Sequence, residues 1–169
     1  MAFMKGYVWS DWVMLLLPLV VGSGLVGLIT WIQRKRNGES PDQRLCGKVP
    51  MSQPPSWVFA VVWPILYLLM GIVLMVVWRG EGRRFTSLIL WFLVGIAGLQ
   101  VWWLLFTQWC QPWLAFASLV VLAIVFIGII NRVWRRHGLI AILMIPLVAW
   151  LSFASYLSYE VAKGLVRKT

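Results

Sequence analysis

The sequence predicts an all-α integral membrane protein, a five-transmembrane-helix bundle forming one membrane domain over residues 1–169. Three observations carry that prediction. Hydrophobic residues make up 62% of the chain against 12% charged, with a mean hydropathy of +0.86, a composition outside the range of soluble domains. The apolar residues gather into five runs of about 20 residues, the length an α-helix needs to cross about 30 Å of hydrocarbon. Ten-residue segments of alternating hydropathy are absent, which argues against a β-barrel.

The first run covers about residues 8–32 and is broken only by Asp11. It is too long for a signal-peptide core and precedes no clear small-residue cleavage site, so it reads as a retained span. Pro18 predicts a kink inside it. Gly22-Ser-Gly24-Leu-Val-Gly27 formally matches G-x-G-x-x-G, but a dinucleotide fingerprint needs a preceding strand. Inside a span these residues predict close helix packing, with Ser23 and Gly27 as a small-xxx-small pair. Residues 33–53 are polar, basic and broken by Gly38, Pro41, Gly47 and Pro50. They form the longest predicted loop, placed to lie over one end of the bundle as a lid. The second span, about 57–78, starts behind Pro54-Pro55, which cannot continue a helix backwards, with Ser56 available as a cap. The third covers about 85–107 and contains Gln100. The fourth covers about 113–134. The fifth covers about 139–161, with Pro146 near its start, and a basic tail of Lys163, Arg167 and Lys168 follows.

The net charge of +10 sits in the loops. Loop cations fix topology and meet anionic head groups, so membrane lipid rather than nucleic acid is the expected partner. Five spans put Lys5, Arg79, Arg83, Arg84, Arg132, Arg135 and Arg136 on one side of the membrane. Arg34, Lys35, Arg36, Arg44, Lys48, Lys163, Arg167 and Lys168 fall on the other, and such an even split gives the positive-inside rule nothing to act on. The two cysteines, Cys46 and Cys110, make neither a disulfide framework nor a zinc site. His137 is the sole histidine, and no metal site is expected. The spans hold no Lys or Arg, and no acid beyond the terminal Asp11 and Glu160. A proton pump or ion-coupled transporter keeps an ionisable group at membrane depth. An interior without charge suits an apolar or flat aromatic ligand.

Aromatic residues recur at helical spacing. Trp63, Tyr67 and Met70 share one face of the second span, Gln100, Trp103 and Thr107 one face of the third, and Trp150, Ala154 and Ser158 align in the fifth. Indole, phenol and amide groups on apolar walls match a mostly apolar pocket with a few orienting polar atoms. For Trp63, Trp103 and Trp150, ligand contact and ordinary helix packing both stay open. Trp9, Trp12, Trp31, Trp78, Trp109, Trp113 and Trp134 lie near span ends and are expected interface anchors. Trp57 opens a span and suits either role. Leu157-Ser-Tyr159-Glu-Val-Ala-Lys163 fits the cholesterol-contact pattern L/V-x-Y-x-K/R.

Pro54, Pro55, Trp57, Phe59, Trp63, Leu66, Tyr67, Met70 and Gly71 match a P-P-x-W-x-F-x-x-x-W-x-x-L-Y-x-x-M-G pattern. That stretch resembles the second-helix signature of the translocator protein family, the TspO/MBR family, also called the peripheral-type benzodiazepine receptor. Pro146 to Tyr159 is similar to the family's P-Y-L-x-W-x-x-x-A-x-x-L-N-Y segment. The resemblance implies a five-helix bundle, commonly a homodimer, with a pocket under the first loop. It implies binding or transport of porphyrins such as protoporphyrin IX, with haem a related candidate, or of sterols such as cholesterol, and no required cofactor. By motif position, Trp63 and Trp150 correspond to tryptophans proposed to degrade protoporphyrin in bacterial relatives. Ala154 corresponds to the small residue that modulates sterol response, and Tyr159 to the sterol-contact tyrosine. The chain departs from the pattern at Ser52 in place of a Trp, Gln100 in place of an Asn, and Ser158 in place of an Asn. The fourth helix lacks the acid common in relatives.

The expected ligand contacts are Trp57, Trp63, Tyr67, Met70, Gln100, Trp103, Trp150 and Ala154, with a sterol contact at Leu157, Tyr159 and Lys163. Three functions stand against one another: a binder, receptor or transporter of flat apolar ligands; an enzyme degrading porphyrin through Trp63 and Trp150 under light or oxidant; and a structural membrane protein. No acid–base constellation supports hydrolytic catalysis.

Overall fold

A computed structural model of the chain describes residues 6–37 and 50–165. The regular elements among them are helical: α1 (Trp9–Leu19), a π-helical turn (Val20–Gly24), α2 (Leu25–Asn37), α3 (Ser56–Gly80), α4 (Ser87–Thr107), α5 (Pro112–His137), a 3-10 segment (Gly138–Met144) and α6 (Ile145–Ala162). Among the described residues, four helical stretches are long and apolar enough to cross a membrane: Trp9–Ile29, Ser56–Gly80, Ser87–Thr107 and Pro112–Ala162. The last has 51 residues, about 76 Å if straight and more than twice the hydrocarbon thickness. It does not run straight. α5 stops at Gly138, whose φ of 63° is a left-handed conformation that glycine adopts without a Cβ clash. The chain then turns through the 3-10 segment, and α6 packs back along α5 in the bundle's most extensive helix pairing.

Local chemistry sets the helix ends. At the start of α1, Asp11 sits in the first turn and its carboxylate accepts the Val8 N–H at 3.1 Å. The break in this first helix lies at Val20–Gly24, just after Pro18. Proline removes a backbone donor, and a π turn re-routes the bonding around it. The helix then continues to Asn37, so residues 33–37, expected in the loop, extend it; Gln, Arg and Lys are good helix formers. The rest of the expected lid up to residue 49 lies outside the described residues. Ser56 is the first residue of α3 and not its cap. Pro55 holds that position, with φ −53° and ψ 144° and no side-chain cap. Pro112 opens α5, where its missing N–H is unneeded.

The core is continuous across α3–α6. Met70, Leu74, Ile89, Phe92, Leu99, Leu119, Phe126, Ile129, Met144, Leu147 and Leu151 are fully buried. Glycines bring the helices close. A side chain at Gly71 would collide with the Leu15 carbonyl, and one at Gly95 would meet the Phe126 ring. In the first helix the close contact is at Gly22, against the Tyr67 ring, whereas Gly27 has open space around it. The expected Ser23–Gly27 packing pair is therefore displaced by one residue, because the π turn rotates the small face. Ile65, Leu68, Val94, Val121, Ile124 and Ile127 are exposed, an outer surface that suits acyl chains.

The two ends of the bundle differ. At one end Asp11 is fully buried; Arg83 donates to its carboxylate from Nε at 3.0 Å and from Nη2 at 2.9 Å. Arg79 lies 3.6 Å from the same carboxylate, with its guanidinium 4.2 Å above the Tyr7 ring. The Asp11 partner holds the Arg83 pKa above its ordinary value. Arg136 pairs with Glu81 at 2.6 Å, and the His137 ring fills the space beside Gly80. Trp78, expected as an interface anchor, is buried here. It packs edge-on to Phe85 at 5.2 Å and donates from Nε1 to the Ser10 hydroxyl at 3.5 Å. The start of α1 covers it, which position in the sequence does not reveal. Trp9, Trp12, Trp31, Trp109, Trp113 and Trp134 are exposed.

At the other end, the segment entering α3 meets the end of α6. Glu160 is buried and accepts from the Ser52 backbone N–H at 3.0 Å and the Ser52 hydroxyl at 2.7 Å. The Met51 N–H donates to the Leu165 carbonyl. The short link between α4 and α5 lies at this end too. In it, Cys110 is disulfide-bonded, a role the cysteine count did not assign. Its φ of 52° is left-handed, an uncommon state for a residue with a Cβ.

Candidate functional site: an aromatic cavity at one end of the bundle

A cavity of about 520 Å³ lies between α3, α4, α6 and the first helix. Its size falls within the range of small-molecule sites. Its walls are aromatic: Phe59, Trp63, Tyr67, Trp102, Trp103 and Phe106. Gly22, Val26, Gly27, Pro50, Ala60, Pro64, Leu99, Ala154 and Leu157 complete the apolar lining. The polar lining residues Gln53, Ser56, Thr107, Gln108 and Ser158 cluster at the Glu160 end, and Ser23 and Tyr67 lie deeper. From Ser56 to Tyr67 the helix descends about 17 Å. No described lining residue carries a charge, and none is a His, Cys or Met.

Trp63 is the centre of the wall. It stacks on Tyr67 one turn along α3, with ring centroids 5.5 Å apart and planes at 27°. It meets Trp102 of α4 at 5.5 Å and the edge of Trp150 of α6 at 6.3 Å and 88°. Trp150 in turn contacts Phe59 at 5.6 Å, and Trp102 stacks with Phe106 at 6.1 Å. Offset and edge-on pairs of this kind each add about 0.5–1.5 kcal/mol beyond area burial. The indole N–H groups of Trp102 and Trp150 and the Ser23 hydroxyl are buried without a hydrogen-bond partner. Native structures leave few such groups, and each calls for an explanation such as a functional role or a bound water.

Tyr67 is held from two sides. Gly22 lets its ring lie flat against the first helix, and Gln100 donates from Nε2 to its hydroxyl at 3.2 Å. Gln100 thus acts on Tyr67 and is not itself a lining residue.

Of the residues singled out from the sequence, Trp63, Tyr67, Trp103, Ala154 and Leu157 line the cavity. Trp150 stands directly behind Trp63. Met70 is in the core below the cavity, only 1% exposed, and Trp57 is 66% exposed outside it. Tyr159 and Lys163 lie on the other face of α6 from Leu157. The Lys163 ammonium sits 5.9 Å over the Trp113 ring and 5.7 Å over the Tyr159 ring, and Phe116 closes the group. The sterol pattern is therefore divided between the cavity and an outer surface. The lining residues Trp102, Phe59, Phe106, Pro64 and Ser56 were not among the expected ligand contacts. Trp102 neighbours Trp103 in sequence and carries the same type of signal; only the rotation of α4 tells which of the two faces Trp63.

A family model described as TspO/MBR matches residues 14–163. A tryptophan-rich protein TspO from Archaeoglobus fulgidus is 31% identical over 120 residues, covering 66% of this chain and 72% of that protein. A protein of the same name from Chlorobaculum tepidum is 29% identical over 119 residues, with the same coverage. A translocator protein homolog from Schizosaccharomyces pombe is 27% identical over 115 residues, covering 66% and 70%.

Proposed function

This chain belongs to the TspO/MBR family of membrane proteins, and from that premise we propose that it crosses the membrane five times and binds a flat, largely apolar ligand in the aromatic cavity. The fifth crossing comes from reading Pro112–Ala162 as two antiparallel spans reversed at Gly138. The observation that carries the ligand reading is the charge-free wall centred on Trp63, with its polar atoms gathered at one end.

The lining chemistry ranks the candidates. A haem iron finds no His, Cys or Met among the described lining residues, which favours a metal-free macrocycle such as protoporphyrin IX, or a sterol. Porphyrin carboxylates, like a sterol hydroxyl, suit the polar end at Gln53, Ser56, Thr107 and Gln108, because burying a charge at the apolar end costs too much. Transport belongs to the same reading, supported by the name of the fission-yeast relative. Degradation of porphyrin through Trp63 and Trp150 is the enzymatic alternative. It is favoured by one specific feature, the continuous ring contact from the cavity through Trp63 to Trp150.

Titration of purified protein with protoporphyrin IX, read as tryptophan quenching, tests the binding. Saturable quenching that Trp63→Ala weakens supports it. Quenching that does not saturate and is blind to Trp63 rejects the cavity as the site. Illumination of the complex then separates binder from enzyme: stable porphyrin absorbance means a binder, and loss of absorbance that disappears in Trp150→Phe means an enzyme. Sterol competition measured in wild type and in Lys163→Ala reports whether the outer Tyr159–Lys163–Trp113 group takes part.

A further inference from the structure

Read from the sequence with five spans, Lys and Arg split almost evenly between the two sides, so the positive-inside rule assigns no orientation. The link between α4 and α5 supplies what the charges do not. Cys110 in that link is disulfide-bonded. The chain has one other cysteine, Cys46, outside the described residues. Cytoplasmic thiol systems keep cysteines reduced, and disulfides persist in secretory, periplasmic and extracellular surroundings. Cys110 follows closely on Thr107 and Gln108, which belong to the polar end of the cavity. Asp11, Arg79, Glu81, Arg83, Arg136 and His137 gather at the opposite end.

We infer that the end of the bundle carrying Cys110 and the polar rim of the cavity faces the oxidising side of the membrane, and the ion-paired end faces the reducing cytoplasm. The disulfide-bonded Cys110 and the separation of the two ends carry this assignment. Its functional consequence rests on the ligand reading above: ligand enters or leaves the cavity on the non-cytoplasmic side. The orientation stands or falls independently of whether any ligand binds.

Thiol labelling of the full-length chain tests it in intact bacterial cells, with a membrane-impermeant maleimide of high mass read as a gel shift. The wild-type chain should resist labelling until a reductant is added and should then be labelled without permeabilisation. Arg135→Cys, placed in a Cys46→Ser, Cys110→Ser background, reports the opposite end, where Arg135 is exposed. It should be labelled only after permeabilisation. Wild-type thiols that react without reductant would show that no disulfide forms and would overturn the inference. So would reduced wild-type protein that reacts only in permeabilised cells, or Arg135→Cys that reacts in intact ones. The wild-type arm needs no substitution, so a misfolded variant cannot mimic either result. Protoporphyrin titration of the same samples keeps a failure of ligand binding distinct from a failure of orientation.

Discussion

The two ends of this bundle use polar residues in opposite ways. At one end a buried carboxylate, Asp11, draws in Arg83 and Arg79, and Arg136 and Glu81 tie α5 to the turn after α3. The beginning of α1 closes over Trp78 and seals that end. At the other end the described polar residues that line the cavity are neutral, and they border it instead of filling the gap. A buried acid there, Glu160, holds the stretch of chain that rims the cavity through two hydrogen bonds from Ser52. Charge that finds a partner within the chain closes a helix bundle. Neutral groups and large rings leave room for a guest.

Substitutions at four sites break or sharpen this contrast. The largest effect is expected at the seam that both ends depend on. Gly71→Val drives a side chain into the Leu15 backbone, which cannot yield as a flexible side chain could. Overpacking there should cost about 3 kcal/mol, read as a thermal midpoint in detergent lowered by about 6–12 °C; an unchanged midpoint would mean that α1 and α3 do not meet as described. Next is Trp63→Ala, which removes the hub of the wall. A central aromatic contact is worth about 2 kcal/mol, so Kd for protoporphyrin IX should rise roughly thirtyfold. Trp63→Phe should recover much of that loss.

At the closed end, Asp11→Asn leaves the Arg83 and Arg79 guanidinium groups without their carboxylate. The thermal midpoint should fall by about 2–4 °C, less at high salt because the partly exposed pair is screened, while ligand affinity stays put. An affinity change would show that the two ends are coupled. The smallest effect is expected for Glu160→Gln. Replacing charge-assisted bonds to Ser52 with neutral ones roughly halves their strength. Stopped-flow quenching should show ligand exchange roughly threefold faster with little change in Kd; an equal loss of affinity would make Glu160 part of the site rather than of its rim.

Much of this was legible in the sequence, and the limits have physical causes. Apolar runs of bilayer length marked the helices, and Pro54-Pro55 marked the start of the second span. Helical spacing correctly put Trp63 and Tyr67 on one face, but a face is wider than a cavity. Met70 shares that face and lies too deep, so it packs in the core. Gln100, Trp103 and Thr107 also share a face, yet Gln100 spends its amide on Tyr67, at a distance set by how α3 and α4 cross. The partners of Asp11 lie in a turn about seventy residues away and could not be read from spacing. Trp78 has the position of an interface anchor and the environment of a core residue, because α1 covers it. Periodicity reports what one helix offers; the rotation of neighbouring helices decides what is used.

The π turn at Val20–Gly24 has a consequence for how insertions and deletions would be tolerated. A π turn holds one more residue than the α-helix it interrupts, so it acts as a phase step between two halves of one rod. Before the step, Leu15 meets Gly71; within it, Gly22 meets Tyr67; beyond it, Val26 reaches the cavity. Removing a single residue from Val20–Gly24 would let the rod run as plain α-helix with the residues on either side still on their present faces, whereas removing one from an α-helical stretch turns everything after it by about 100°. Length, composition and hydropathy would be almost unchanged by either deletion, yet only the first would leave Val26 and Gly27 facing the cavity. In this helix the count of residues carries as much information as their identity.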